Sequence, residues 1–258
     1  MRFEKRLTLR VVLAEAYACR PIASMSMNAE AGVRLRQAVL VARDLEPVSQ
    51  ELRSELGLGE PFADPGVSAF GLHNAVYALG DTFLEVVSPT QPDTTAGRYL
   101  DRRGDGGYMV IFQLADLDAA RERAAAMGVR VVWQIDLPDI SGTHLHPADT
   151  RGAIVSLDRA DPPGSWRWGG PDWTEREGSG APGRLCGVTI AVTDPAATAA
   201  RWGELLGVEP DGERLELDAS YVRFEQADDE RLAEIHVDVP NRDETLTLGG
   251  ARLRLTPA

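Results

Sequence analysis

Residues 37–57 read QAVLVARDLEPVSQELRSELG and join an apolar strand to a helix. The first part of this stretch is mostly apolar and ends in a turn, as expected for a buried strand. Val48, Leu52 and Leu56 then recur on one face at helical spacing. Gly57 follows at the position where helices commonly stop. The stretch therefore predicts a strand that passes directly into an amphipathic helix.

The same order of elements returns further along the chain, at residues 108–128 and 186–207. The first unit continues with two predicted strands, at 74–79 and 82–87, and the later units are extended in a similar way. A fourth, shorter unit covers 232–255, where Pro240-Asn241 replaces the helix. One such unit leaves an apolar sheet face exposed, so the units must pair to bury it. We therefore predict an α+β fold made of paired strand–helix–strand modules.

This repeat divides the chain into four parts. We expect a leader at 1–34, a domain of two full modules at 35–160, a linker at 161–184 and a smaller, truncated domain at 185–258. The linker is rich in Pro and Gly and carries three tryptophans, Trp166, Trp168 and Trp173. These tryptophans are predicted either to anchor the linker or to roof a ligand site. Residues 98–103, which precede the second module, are predicted as a loop.

The leader has alternative interpretations. Arg2, Lys5, Arg6 and Arg10 precede a short apolar run that faintly resembles an export signal, but Glu15 interrupts it. A disordered leader or a start site chosen too far upstream fits better, with Met27 as the alternative start. We expect a cytoplasmic protein.

Composition excludes several functional classes. The net charge of -13 disfavours nucleic acids and anionic membranes as partners. The two cysteines, Cys19 and Cys186, lack metal-binding or redox spacing. No run reaches the ~20 apolar residues of a membrane-spanning helix. The sequence also has no nucleophile motif, phosphate-binding loop or dinucleotide fingerprint. A small-molecule ligand or substrate remains the expected partner, and a homodimer is compatible with the sequence.

Several motifs in order resemble the glyoxalase, or vicinal oxygen chelate, superfamily. The residues that carry the resemblance are Arg43-Asp44-Leu45 before the first helix, Leu56-Gly57-Leu58 after it, Phe83–Pro89 as a closing strand, Gly104–Met109 as the entry to the second module, Asp149–Gly152 as a late turn and Val192–Pro195 as a third opening. The resemblance covers about residues 35–258. It implies βαβββ modules that pair into a cup-shaped mixed β-sheet.

The resemblance also implies where a divalent metal would bind. The family's ligand positions fall on Gln37 and Glu85 in the first module and on Met109 and Ser156 in the second. Thioether sulfur and a neutral hydroxyl are poor ligands for a hard cation. The corresponding positions in the second domain are taken as Gly187 and Phe224. We therefore expect no cofactor and, at most, a weak divalent metal site.

His144 and His146 complicate this expectation. They lie two apart on a predicted strand, so both side chains should face the cup. Two hypotheses follow. Gln37, Glu85, His144 and His146 could ligate a metal, or Glu85 and His146 could form a metal-free acid–base pair. In the second case the remaining residues, Gln37, His144, Met109, Ser156 and Asn74, would bind the substrate.

Two functional classes remain open. The first is an enzyme, a lyase or isomerase that forms an enolate from a small oxygenated substrate, with Glu85 as general base. The alternative is a non-catalytic protein that binds or sequesters a small molecule in the cup. The retained Glu85 favours the enzyme, whereas the altered metal positions favour binding or metal-free chemistry. The sequence does not identify the substrate.

Overall fold

The computed structural model describes residues 32–177 and 183–257, which form two mixed β-sheets and connecting helices. The expectations for the leader up to residue 31 and for Cys19 lie outside the described residues. The predicted α+β fold of paired modules is confirmed. In the described residues, no helix is both long and apolar enough to cross a membrane.

The first sheet has the strand order β2-β3-β1-β4-β7-β6-β5 and the second β12-β13-β11-β8-β10-β9. The strands of the first are β1 Val33–Val41, β2 Leu72–Leu79, β3 Thr82–Pro89, β4 Gly106–Leu114, β5 Val131–Asp136, β6 Ile140–Leu145 and β7 Ile154–Ala160. The strands of the second are β8 Arg184–Val192, β9 Arg214–Leu217, β10 Ser220–Gln226, β11 Arg231–Asp238, β12 Glu244–Leu248 and β13 Ala251–Thr256. The α-helices are α1 Leu45–Leu56, α2 Thr95–Arg103, α3 Leu117–Ala126, α4 Pro147–Thr150, α5 Trp173–Glu177 and α6 Pro195–Leu206, with 3-10 helices at Pro65–Phe70 and Arg167–Gly169.

Each sheet is built around an antiparallel pair of strands, one from each module. In the first sheet β1 pairs with β4, while β3 runs parallel to β1 and β7 parallel to β4. The second sheet repeats this with β8 and β11 at its centre. In each of these modules the last strand returns to lie beside the first. The repeated strand–helix–strand order along the chain therefore gives two pseudo-symmetric sheets.

Aspartates start two of the helices that follow central strands. The Asp116 carboxylate accepts from the backbone N–H of Ala119 and starts α3, and Asp194 accepts from Ala197 and starts α6. A carboxylate at this position satisfies a free N–H and interacts favourably with the helix dipole. Gly207 ends α6 with φ of 74°, a left-handed conformation that favours glycine.

The backs of the two sheets share one hydrophobic core with α1, α3 and α6. Trp202 of α6 shows how they are joined. Its ring lies 6.0 Å from Phe112 of the first sheet and 5.3 Å from Phe224 of the second. Its Nε1–H donates to the carbonyl oxygen of Thr150 at 2.5 Å. The sheets are therefore halves of one packed structure, and the opposite face of each sheet is turned away from this core.

We expect Gly107→Ala to destabilise the fold by about 1–3 kcal/mol because the two sheets touch at this point. A Cβ at Gly107 would lie 2.4 Å from the Leu232 carbonyl oxygen. Gly106→Ala is the matched control on the same strand, since its nearest neighbour would be 3.8 Å away. Urea denaturation measures both variants. Equal midpoints would contradict the close approach of β4 and β11.

Two local expectations are corrected. Residues 98–103, predicted as a loop, belong to helix α2, which begins where the Thr94 hydroxyl accepts from Gly97 and buries Ala96 and Leu100. His146 was placed on the same strand as His144. Strand β6 instead ends at Leu145, and His146 is the N-cap of α4.

Candidate functional site

The free face of the first sheet is a cup lined by a second apolar cluster that includes Val39, Phe83, Met109 and Ile111. Strand register places the polar candidates on this face. Glu85 lies opposite Val39, and Ser156 lies opposite Ile111. Residues directly opposite each other on paired strands share a face. Gln37, Glu85 and Ser156 are all at most 6% exposed.

The Glu85 carboxylate is held by two amide side chains. Gln37 Nε2 donates to Oε2 at 2.7 Å, and Asn74 Nδ2 donates to Oε1 at 2.6 Å. The orientation of both amides is fixed by donors that cannot accept a hydrogen bond. The Trp166 Nε1–H donates to Gln37 Oε1 at 2.8 Å, and the backbone N–H of Asp64 donates to Asn74 Oδ1 at 2.8 Å. Both amides therefore present N–H groups to Glu85.

Burial raises the pKa of Glu85 to about 7 against the opposing effect of these hydrogen bonds. Desolvation penalises the charged carboxylate, whereas the N–H donors of Asn74 and Gln37 stabilise it. The result is a carboxyl group that changes charge near neutral pH, as a general base requires.

A second buried carboxyl group, Asp158, lies on the same face in the other module and was missed by the sequence analysis. Ser156 Oγ donates to Asp158 Oδ1, and Trp168 Nε1 donates to Oδ2 at 2.6 Å. Burial raises the pKa of Asp158 to about 7. The signal in the sequence was strand parity, because Asp158 lies two residues after the family's ligand position and must share its face.

The two predicted histidines have different surroundings. The His144 ring lies 4.4 Å from Trp133 and 6.0 Å from Phe70, so it belongs to an aromatic cluster at the mouth of the cup. The Nδ1 of His146 accepts from the backbone N–H of Ala148 at 3.1 Å and lies 3.3 Å from Arg130. The described contacts of His146 thus start α4, and its catalytic role remains a prediction.

We expect His144 to stay uncharged through the physiological range. Burial lowers its pKa to about 4, because an imidazolium would lose its hydration among the surrounding rings. A proton NMR titration of the folded protein should show no change at His144 between pH 5.5 and 8. Urea-unfolded protein is the control and should titrate near pH 6.5. A midpoint above pH 6 in the folded state would contradict this environment.

The linker tryptophans pack over the free face of the first sheet and so cover the cup. Trp166 is 1% exposed and stacks with Phe83 at 6.2 Å. Trp173 also packs on Phe83, at 5.4 Å. Trp168 lies 6.4 Å from Trp133. The linker thereby contacts the hydrogen-bond networks of both Glu85 and Asp158.

The residues at the family's metal positions do not fit a divalent cation. The two oxygens of Glu85 face amide N–H groups, and the Gln37 oxygen accepts from Trp166. Met109 and Ser156 offer a thioether and a hydroxyl, which are weak ligands for hard cations. No cluster of three or more His, Cys, Asp or Glu side chains suited to a metal occurs among residues 32–177 and 183–257.

The second sheet has a different set of residues on its equivalent face. Register pairs Thr189 with Arg223, as Val39 pairs with Glu85, so Arg223 rather than Phe224 takes the position equivalent to Glu85. Phe224 points into the shared core. His236 is buried, with Nδ1 2.7 Å from the Tyr221 hydroxyl and Nε2 2.8 Å from the Thr189 hydroxyl.

Comparison with known proteins agrees with this geometry. Residues 38–206 match the family model described as a glyoxalase-like domain. A hypothetical protein from Staphylococcus aureus has the same fold over 88% of this chain and 100% of its own, with a TM-score of 0.62 and 11% identity. The cup of paired modules thus defines a protein of the vicinal oxygen chelate superfamily. The chain belongs to its glyoxalase-like domain family.

Two epimerases resemble about half of the chain. An ethylmalonyl-CoA/methylmalonyl-CoA epimerase from Cereibacter sphaeroides is 28% identical over 135 residues, which are 49% of this chain and 97% of the relative. A Streptomyces coelicolor methylmalonyl-CoA epimerase in complex with 2-nitronate-propionyl-CoA is 24% identical with a TM-score of 0.44, over 49% of this chain and 96% of its own.

Proposed function

We propose that the protein is an isomerase-type enzyme that moves a proton next to the carbonyl group of a small oxygenated substrate, with Glu85 as general base. The pair of buried carboxyl groups, Glu85 and Asp158, supports this most. They lie on one face of the sheet, in different modules, and burial raises the pKa of each to about 7. A group that titrates near the working pH accepts and returns a proton efficiently.

The pseudo-symmetry of the sheet suggests how the two groups share the work. Ser156 takes the position in the second module that Glu85 takes in the first. Glu85, ionised, removes a proton from carbon, and the electron pair moves onto the carbonyl oxygen as an enolate. The Ser156 hydroxyl then protonates the carbon from the other side and takes the proton of neutral Asp158. Glu85 ends protonated and Asp158 ionised, and the carbon is inverted.

The reaction class also agrees with the name of the Cereibacter sphaeroides relative, an epimerase of acyl-CoA thioesters. Lyase chemistry would use the same first step, but an epimerase needs a second acid–base group, and Asp158 supplies one. A binding protein is the second candidate. It is favoured by Trp166, which is buried in the cup and donates its N–H to the Gln37 oxygen.

Deuterium uptake from D2O tests the catalytic proposal. Wild-type protein is incubated with methylmalonyl-CoA, ethylmalonyl-CoA and a panel of other 2-substituted thioesters and carboxylic acids. We expect the protein to exchange the hydrogen at C2 of at least one compound for deuterium. Mass spectrometry measures this deuterium incorporation. The rate without protein is subtracted, because such hydrogens exchange slowly on their own. Absence of protein-dependent exchange across the panel would leave the binding protein as the account.

A further inference from the structure

The segment Asp161–Trp173, here called the lid, fills the cup with its own side chains. Trp166 is the most buried of the lid's three tryptophans. Its indole packs against both the Phe83 ring, at 6.2 Å and an interplanar angle of 22°, and the Arg36 guanidinium, 5.3 Å away. Its N–H donates to Gln37. The cup therefore holds a site for one planar group beside Phe83 and Arg36, with the Gln37 oxygen as its hydrogen-bond acceptor. This site, here called the slot, is occupied by this chain.

Arg36 holds the lid by its tryptophans. A β-bulge between Leu35 and Gln37 directs Arg36 toward the cup side of β1. Its guanidinium lies 5.3 Å from the Trp166 ring and 5.5 Å from the rings of Trp173 and Phe83. Such cation–π contacts are worth more away from water, but they are not directional like a strand ladder. They favour a closed lid.

Besides its ring contacts, the lid is held by a small set of polar contacts and by the packing of Gly169 against Phe83. The backbone N–H of Asp161 donates to the Asp139 carbonyl at 3.0 Å, and Trp168 Nε1 donates to Asp158. The lid's backbone hydrogen bonds include short turns within the segment, such as Ser165 N–H to Pro162 and Gly170 N–H to Arg167. Gln113 Nε2 donates to the Pro163 carbonyl at 2.6 Å. The ion pair of Arg167 with Asp139 is about half exposed on both sides, so it adds little. Segments held in this way open locally before the whole protein unfolds.

We propose that the lid opens to admit the ligand, and that the ligand replaces the Trp166 indole with a planar group carrying an N–H or O–H donor. This inference rests on the proposed function and deepens it, since it concerns the same cup. Lifting Trp166 and Trp168 frees the networks of Glu85 and Asp158 together.

The indole N–H of Trp166 reports lid opening directly, and Trp202 is the control within the same molecule. Both tryptophans are at most 1% exposed, and both donate Nε1–H to an oxygen. Trp202 lies in the shared core, so its N–H exchanges through global unfolding. We expect the Trp166 N–H to exchange with D2O at least about 100-fold faster than the Trp202 N–H, measured by NMR. Equal rates would overturn the proposal, because Trp166 would then be part of the permanent core.

The ligand class is tested with indole and 1-methylindole on a Trp166→Gly variant. Cavities left by large side chains bind ligands of matching shape. We expect indole to bind roughly tenfold more tightly than 1-methylindole, which has no N–H for Gln37, by calorimetry. Equal affinities would overturn the donor requirement. Should the variant not fold, the exchange experiment on the wild-type protein still decides whether the lid opens.

Neither readout depends on turnover, so the two proposals fail separately. Suppose the Trp166 N–H exchanges fast but no compound takes up deuterium in a protein-dependent way. The lid proposal then stands and the enzyme proposal is rejected. Catalysis with Trp166 exchanging as slowly as Trp202 keeps the enzyme and rejects the lid.

Discussion

Replacing Glu85 with glutamine is expected to slow deuterium uptake into the substrate by about 10²- to 10⁴-fold, the usual contribution of a general base. Glutamine has nearly the shape of glutamate but cannot take the proton from carbon. The change leaves the slot and the apolar lining in place, so ligand affinity should change little. Glu60→Gln is the control, because that side chain is 79% exposed.

Asp158 allows a sharper version of the same experiment. If the two modules act from opposite sides of the substrate, Asp158→Asn should stop interconversion of the two configurations at C2. Glu85 would still exchange the hydrogen on its own side, so deuterium would enter one configuration with retention. Chiral separation of the labelled product distinguishes the two outcomes. Loss of both activities to the same extent in both variants would contradict the division of roles.

The second large effect is on the pH dependence of stability. Burial raises the pKa of Glu85 from 4.5 in the unfolded chain to about 7. Between these values the folded state binds more protons than the unfolded state, so this group makes stability fall as pH rises from about 4.5 to 7 and level off above. Glu85→Gln removes this contribution. As the pH rises from 5 to 8, the free energy of unfolding of the variant should therefore increase relative to that of wild type by roughly 2–3 kcal/mol.

Comparison between variants is needed because other buried groups act in the opposite direction. Burial lowers the pKa of His144 and of His236, and both make stability rise with pH up to about 6.5. These contributions cancel when wild type and variant are subtracted. Asp158→Asn should behave like Glu85→Gln, since burial also raises the pKa of Asp158 to about 7. Gly107→Ala changes no titrating group, so its cost should be equal at pH 5 and pH 8.

Local sequence signals predicted most of the fold. The apolar runs, the helical spacing of Val48, Leu52 and Leu56, and the helix stop at Gly57 act within a few residues, so they can be read without knowledge of tertiary contacts. The repeat of these signals then implied paired modules. The same reasoning failed for α2, where a short helix of mostly polar residues buries few side chains.

The candidate site was predictable in part. Gln37, Asn74 and Glu85 lie on adjacent strands of one module, and the structure brings them into hydrogen-bond contact. Trp166 reaches Gln37 from 129 positions away. Local periodicity carries no information about such a contact, so the sequence left the linker tryptophans open between an anchor and a roof. In the structure Trp166 both anchors the linker and covers the cup.

The sequence analysis misplaced one candidate residue, His146, and overlooked another, Asp158. Strand parity placed His146 beside His144, but parity ends where the strand ends, and the chain turns at His146 to start α4. The family pattern directed attention to Ser156, whose hydroxyl is a poor metal ligand. The carboxyl group that accepts the Ser156 hydrogen bond lies two residues further on, at Asp158.

Direct titration of the Glu85 side chain tests the central claim, that this carboxyl is poised to exchange a proton near neutral pH. Protein labelled with ¹³C at the glutamate carboxyl is titrated by NMR, and the Glu85 signal is identified by its absence in Glu85→Gln. The account predicts a midpoint near pH 7. A midpoint near the 4.5 of an ordinary glutamate would contradict it, because Glu85 would then be a permanently charged structural group.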